Sequence, residues 1–119
     1  LVLWFKNVRS SVLLSPGNIL AQTTSPVITI KKAAATAKIS VTKLRGNITV
    51  LDGSGGNIAV LDGPQGKLLV DAGIGVSKPH VLPVLNSISK QPIKYLVNTH
   101  WHFDHTDGNE WIHQQGELL

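Results

Sequence analysis

Ile93-Lys94-Tyr95-Leu96-Val97-Asn98-Thr99-His100-Trp101-His102-Phe103-Asp104-His105 decides the architecture, because an apolar run of strand length delivers four candidate metal ligands within six residues. His100 and His102 are separated by one residue, so in extended chain their side chains leave on one face, about 6.6 Å apart at Cα. Both can then reach a single ion, since zinc takes histidine nitrogen at about 2.0–2.1 Å. Asp104 and His105 follow at once, where Asp107-Gly108-Asn109 turns the chain into a helix over residues 109–115 that Gly116 ends. The turn rotates this second pair towards a second point. The four ligands therefore divide into a His/His pair and an Asp/His pair, the division expected of two ions about 3.5–4 Å apart. A histidine-rich loop that is merely solvated, or binds metal adventitiously, is the plainer alternative.

Upstream, Lys67-Leu68-Leu69-Val70-Asp71 reads as a strand ending in Asp71-Ala72-Gly73, which puts a carboxylate at a sheet edge. On position alone Asp71 is equally a turn residue. Between the two strands, Val81, Leu82, Val84, Leu85 and Ile88 recur at helical spacing. A helix beginning near His80 or Val81, with Pro83 in its first turn, is predicted. Strand, helix, strand implies a crossover that sets Leu68 to Val70 parallel to Tyr95 to Val97.

Further back are two near-copies, residues 46–53 (GNITVLDG) and 56–63 (GNIAVLDG). Short β-branched runs closed by Gly, Asn and Asp are antiparallel strands of a β-meander. Pro64-Gln65-Gly66 is the next turn. The compact domain is expected over residues 38–119. Residues 1–37 are read as a leader-like segment followed by a linker, or an exposed lead-in strand around Val27 to Ile30. Within residues 1–21, Lys6 and Arg9 precede the apolar run Ser11 to Leu14, as in a partial export signal, whereas Leu1 and Pro16-Gly17 argue against one. Periplasmic or secreted and cytoplasmic locations are left equally open.

The composition agrees with a metal site and excludes other classes. The chain has 119 residues, 42% of them hydrophobic, enough for one small core. Its charge of +4 comes from Lys and Arg scattered between Lys6 and Lys94, with no basic run interleaved with aromatics, so no nucleic-acid partner is expected. Beyond Tyr95 there is no Lys or Arg, while four of the five histidines lie there with Asp104, Asp107, Glu110 and Glu117. That end suits a cation. The absence of cysteine leaves imidazole and carboxylate as the ligands. No run reaches the roughly 18 apolar residues of a membrane span. His80 and His113 are read as helix-start and surface or packing residues. Trp101 and Phe103 are expected to anchor the loop in the core more than to wall a substrate.

Residues 99–105, with the pattern H-x-H-x-D-H, resemble the metal-binding motif of the metallo-β-lactamase-fold hydrolases, and residues 69–73 resemble the aspartate motif that precedes it. The resemblance covers residues 39–119. It implies an α/β (α+β) fold, the N-terminal half of an αββα sandwich whose two similar halves pack sheet on sheet. It implies that His100 and His102 hold one zinc and that Asp104 and His105 hold the second. Asp71 would brace the metal loop by hydrogen bonds, with Thr99 beside it. The implied activity is attack of a metal-bound hydroxide, oriented by Asp104, on an ester, thioester, lactone or lactam of a small-molecule substrate. The family's third histidine, bridging aspartate and last histidine fall in the half that would complete the site. Iron-dependent oxidoreductases share the fold. His102 speaks against the flavodiiron type, which carries H-x-E-x-D here, whereas the persulfide dioxygenase type keeps the histidines. A non-catalytic fragment is the remaining alternative.

Overall fold

Side chains of successive strand residues point to opposite faces, and that period of two builds a sheet with one buried face. The computed structural model describes residues 24–116. In it, β1 (Ser40–Lys43), β2 (Ile48–Asp52), β3 (Ile58–Gly63), β4 (Gly66–Val70) and β5 (Ile93–Val97) form one sheet in sequential order. The first three pairings are antiparallel. β4 and β5 are parallel, with Leu68 opposite Tyr95, Leu69 opposite Leu96 and Val70 opposite Val97. The crossover between them holds a 3-10 turn (Gly75–Ser77) and the helix Lys78–Ile88, and two more helices follow β5, Phe103–Thr106 and Asn109–Gln115. The predicted meander, parallel pair and last helix are all present, and the fold is the expected α/β layer.

An additional helix precedes the sheet, and in chain order the helices are α1 (Pro26–Thr36), α2 (Lys78–Ile88), α3 (Phe103–Thr106) and α4 (Asn109–Gln115). Helix α1 corrects the lead-in strand expected around Val27 to Ile30. Pro26 opens its first turn, Ala33 to Ala35 favour helix, and the buried Ala34 allows close approach to the 3-10 turn. His80 Nε2 bonds the Ala35 carbonyl at 2.9 Å. These contacts outweigh the strand preference of Val27-Ile28-Thr29-Ile30, whose large side chains remain exposed. The leader-like features of residues 1–21 lie outside the described residues. Helix α2 begins at Lys78, two residues before the predicted start, with Pro79 in its first turn. Pro83 is therefore interior, and the bond it forfeits is the one to the Pro79 carbonyl, the third rung of the ladder.

The core lies between the sheet and α2 and α4. Leu51, Ile58, Val60 and Leu69 on the inner sheet face meet Val81, Leu85, Trp111 and Ile112. The opposite face carries Ile48, Leu61, Tyr95 and Val97, all substantially exposed, and the described helices leave it uncovered. One layer of helices on one sheet is half of an αββα sandwich. Among the described residues no helix is long and apolar enough to cross a membrane.

Lys67 is anomalous on the inner face, being 2% exposed with its Nζ donating to the Gln91 carbonyl. Burial lowers its pKa, the Asp62 carboxylate works the other way, and Lys90 adds to the lowering. A depressed lysine disfavours folding while it is charged. The cost is complete below its folded pKa and fades as pH rises towards the ordinary 10.5. Lys67→Met is expected to raise stability at pH 7 by about 1 kcal/mol, a few degrees in Tm. Melts across a pH series should show that gain shrinking as the pH approaches the ordinary lysine value. A pH-independent gain would mean that the charge is not the cause.

Candidate metal centre

The parallel register places the ends of β4 and β5 side by side, so Asp71 and Thr99 meet just beyond them. The Asp71 N–H donates to the Val97 carbonyl at 2.8 Å, continuing the ladder for one step. Asp71 then turns into the left-handed region, φ 66°, which aspartate tolerates better than most residues. Its carboxylate accepts the Thr99 N–H at 2.7 Å, the Thr99 hydroxyl at 2.8 Å and His105 Nδ1 at 2.8 Å. Burial opposes the charge, but these hydrogen bonds and the nearby His105 imidazole outweigh it and hold the carboxyl below the usual aspartate value. Asp71 is more than a turn residue.

Thr99 passes the constraint on. Its hydroxyl proton goes to Asp71, so at 2.9 Å from His100 Nδ1 it accepts, which makes His100 the Nδ1–H tautomer with its Nε2 lone pair outward. That Nε2 lies 3.0 Å from His102 Nδ1. His102 is the N-cap of α3, and its carbonyl accepts the N–H groups of His105 and Thr106 at 3.0 and 3.2 Å. Asp104 and His105 occupy that single turn. With His105 Nδ1 committed to Asp71, its Nε2 faces the Asp104 carboxylate, 3.4 Å from Oδ2. The His100 and His105 rings lie 4.1 Å apart, which brings the two pairs together.

Two ligands at zinc distances on one tetrahedral ion stand about 3.3 Å from each other. The 3.0 Å nitrogen pair and the 3.4 Å nitrogen–oxygen pair are close to that separation. The donor set, imidazole and carboxylate without thiolate, fits zinc or iron. Among the described residues no group of three His, Asp or Glu side chains is placed to hold one metal ion.

Several supporting residues carry no signal in the spacing of the motif. Asn98 and Asn109 exchange side-chain hydrogen bonds at 3.1 and 2.8 Å, and Asn98 also donates to the His105 carbonyl at 3.1 Å. The Asp107 carboxylate takes the Gly75 N–H at 2.9 Å and Lys31 of α1 at 3.1 Å. Gly56 fits beneath the ligand turn because a Cβ there would lie 2.5 Å from the Asp104 carbonyl and 3.2 Å from His105 Cε1. Trp101 corrects an expectation, for its indole is 82% exposed and anchors nothing in the core. Phe103 is half-buried, and His113 is exposed on α4. The described residues show neither His113 nor His80 bonded to the cluster.

An α/β layer that gathers a His/His pair and an Asp/His pair at the ends of two parallel strands has the form of a metallo-hydrolase. The Metallo-beta-lactamase superfamily profile matches residues 51–117, more than half of the sequence, and the chain belongs to that superfamily. Solved structures show the same fold. The Rm3 metallo-beta-lactamase superposes with a TM-score of 0.65 at 23% identity, over 82% of this chain and 35% of that one. The metallo-beta-lactamase SMB-1, bound to 2-mercaptoethanesulfonate, gives 0.62 at 22% identity over 71% and 34%. A metallo-beta-lactamase from Pontibacter korlensis gives 0.56 at 24% identity over 68% and 42%. The chain thus spans between about a third and just over two fifths of the length of these proteins. No curated protein matches the sequence.

Proposed function

We propose that this chain carries the N-terminal metal-binding share of a zinc-dependent hydrolase site. In this reading His100 Nε2 and His102 Nδ1 take one ion, while His105 Nε2 and the Asp104 carboxylate take the second. The observation that carries the proposal is the pair of spacings, 3.0 and 3.4 Å, with His105 held from behind by Asp71. Bound there, zinc would supply Lewis acidity and lower the pKa of water to about 7.

The chain's own residues do the rest. Asp71 and Thr99 fix the orientation of both supporting imidazoles, so the ligands need little rearrangement. Asp104, about one-third exposed, has a second carboxylate oxygen with which to orient an attacking water and accept its proton. The substrate class this chemistry serves is an ester, thioester, lactone or lactam. The activity belongs to the whole domain, to which this chain contributes its part.

Equilibrium dialysis against zinc, followed by metal analysis, tests the proposal. The chain should hold up to two equivalents, with His102→Ala and His105→Ala each losing about one while retaining the fold. Binding unaffected by either substitution would remove the proposed ligands. Iron retained with oxygen consumption, instead of zinc with hydrolysis, would move the protein to the persulfide dioxygenase class.

A further inference from the structure

Helix α1 carries two lysines, and only one of them faces the domain. Lys31, Ala34 and Ala35 stand at i, i+3 and i+4, so they share a helix face. That face docks, because Ala34 is buried, the Ala35 carbonyl bonds His80 Nε2 at 2.9 Å, and Lys31 Nζ donates to Asp107 Oδ1 at 3.1 Å. Lys32 is exposed. Asp107 closes the short helix α3 that carries Asp104 and His105, and its N–H donates to the Phe103 carbonyl at 2.9 Å. Its second carboxylate oxygen takes the Gly75 N–H at 2.9 Å, and its carbonyl oxygen would lie 2.9 Å from a Cβ at Gly75. Asp107 thus ties together three segments far apart in sequence, namely α1, the loop after β4 and the ligand turn.

We infer that Lys31 and Asp107 are positioning residues of the metal centre, through which the docking of α1 holds the Asp104/His105 turn against the loop after β4. The inference rests on the proposed function, which takes Asp104 and His105 as metal ligands. An ion pair between two free surface side chains contributes little, because both lose rotamer freedom on pairing. Here the Gly75 N–H already orients the Asp107 carboxylate, while Ala34 and His80 already seat the helix, so the pair forms between groups held in place. The turn it steadies is fastened by two further bonds, Ala72 N–H to the His105 carbonyl at 2.8 Å and Gly108 N–H to the Gly73 carbonyl at 3.0 Å. Together they set His105 where its Nδ1 meets Asp71 at 2.8 Å. Helix α1 lies outside residues 51–117, so this brace reaches the ligand turn from beyond the segment that the superfamily profile matches.

Hydrogen exchange of the metal-free chain, followed by NMR, tests this. In Lys31→Met the amides of Ala72, Gly75 and Gly108 and the Nδ1 proton of His105 should exchange about two- to fivefold faster than in the wild type, the range expected of one partly exposed ion pair. Lys31→Arg should restore the wild-type rates. Lys32→Met removes the same charge from the exposed face and should leave them unchanged. High salt should speed exchange at these positions in the wild type but not in Lys31→Met, since it screens a pair that the variant lacks. Unchanged rates in Lys31→Met, equal acceleration by Lys32→Met, or acceleration confined to the amides of α1 would each overturn the inference, the last by showing that Lys31 docks the helix and nothing more. None of these readouts needs a metal, so zinc dialysis judges the proposed function separately. Without uptake there, Lys31 and Asp107 position no ligand.

Discussion

Asp71→Ala is expected to lower stability by about 2–4 kcal/mol and metal affinity by about 10–100-fold. The substitution strips acceptors from the Thr99 N–H, the Thr99 hydroxyl and His105 Nδ1 at once. It also places alanine at φ 66°, a backbone cost of about 1 kcal/mol that aspartate largely avoids. With its Nδ1 released, His105 is free to rotate, so the Nε2 that faces Asp104 loses its aim. Asp71→Asn separates these effects. Asparagine tolerates the left-handed conformation and keeps one acceptor, so stability should recover in part. Its amide NH₂ cannot accept from His105, so metal affinity should stay low. Urea unfolding with zinc dialysis measures both, and an Asp71→Ala chain as stable and as metal-competent as the wild type would reduce Asp71 to a turn residue.

Gly108→Ala should be worse than replacement of either glycine that packs against this turn, Gly56 or Gly75, costing about 3 kcal/mol or more. A Cβ at Gly108 would sit 2.2 Å from the Ala72 carbonyl oxygen and 2.9 Å from Trp111 Nε1. The first of these is backbone, which cannot swing aside. Gly108 also donates to the Gly73 carbonyl at 3.0 Å, and Ala72 donates to the His105 carbonyl at 2.8 Å. These two bonds seam the loop after β4 to the turn that carries Asp104 and His105, so the methyl group would pry the seam open. Gly46→Ala is the control. Gly46 has φ 61° but nothing within 4 Å of its would-be Cβ, so the loss there should be only the conformational cost of about 1 kcal/mol. Equal losses at the two positions, read from urea midpoints, would show that the close approach at Gly108 is relieved without consequence.

Much of the sheet is legible because its signals are local. GNITVLDG and GNIAVLDG state two strands and their turns in sixteen residues, and the connector between Val70 and Ile93 is long enough, and helical enough in its apolar spacing, for a crossover. The lead-in segment is not legible in this way. Val27-Ile28-Thr29-Ile30 favours strand on propensity, and what reverses it is the docking of Ala34 and Ala35 near the 3-10 turn and His80, some 45 residues away. The start of α2 was displaced for a related reason, since Pro79 and Pro83 both satisfy a first-turn rule and only packing of Val81 and Leu85 selects between them.

The candidate site divides along the same line. His100, His102, Asp104 and His105 lie within one short loop, so their residue types and intervals are enough to name them as a cluster and to sort them into two pairs. The sequence alone thus supplies the candidates and their neighbourhood. Tertiary structure decides the partnership of Asp71 with Thr99 and His105, the Asn98–Asn109 clasp, the closeness of Gly108 to Ala72 and the exposure of Trp101. Each depends on the register of β4 against β5 or on how the following turn seats upon them. Such contacts join residues 11 to 36 positions apart, and no local preference encodes a distance between groups that meet only after the chain has folded.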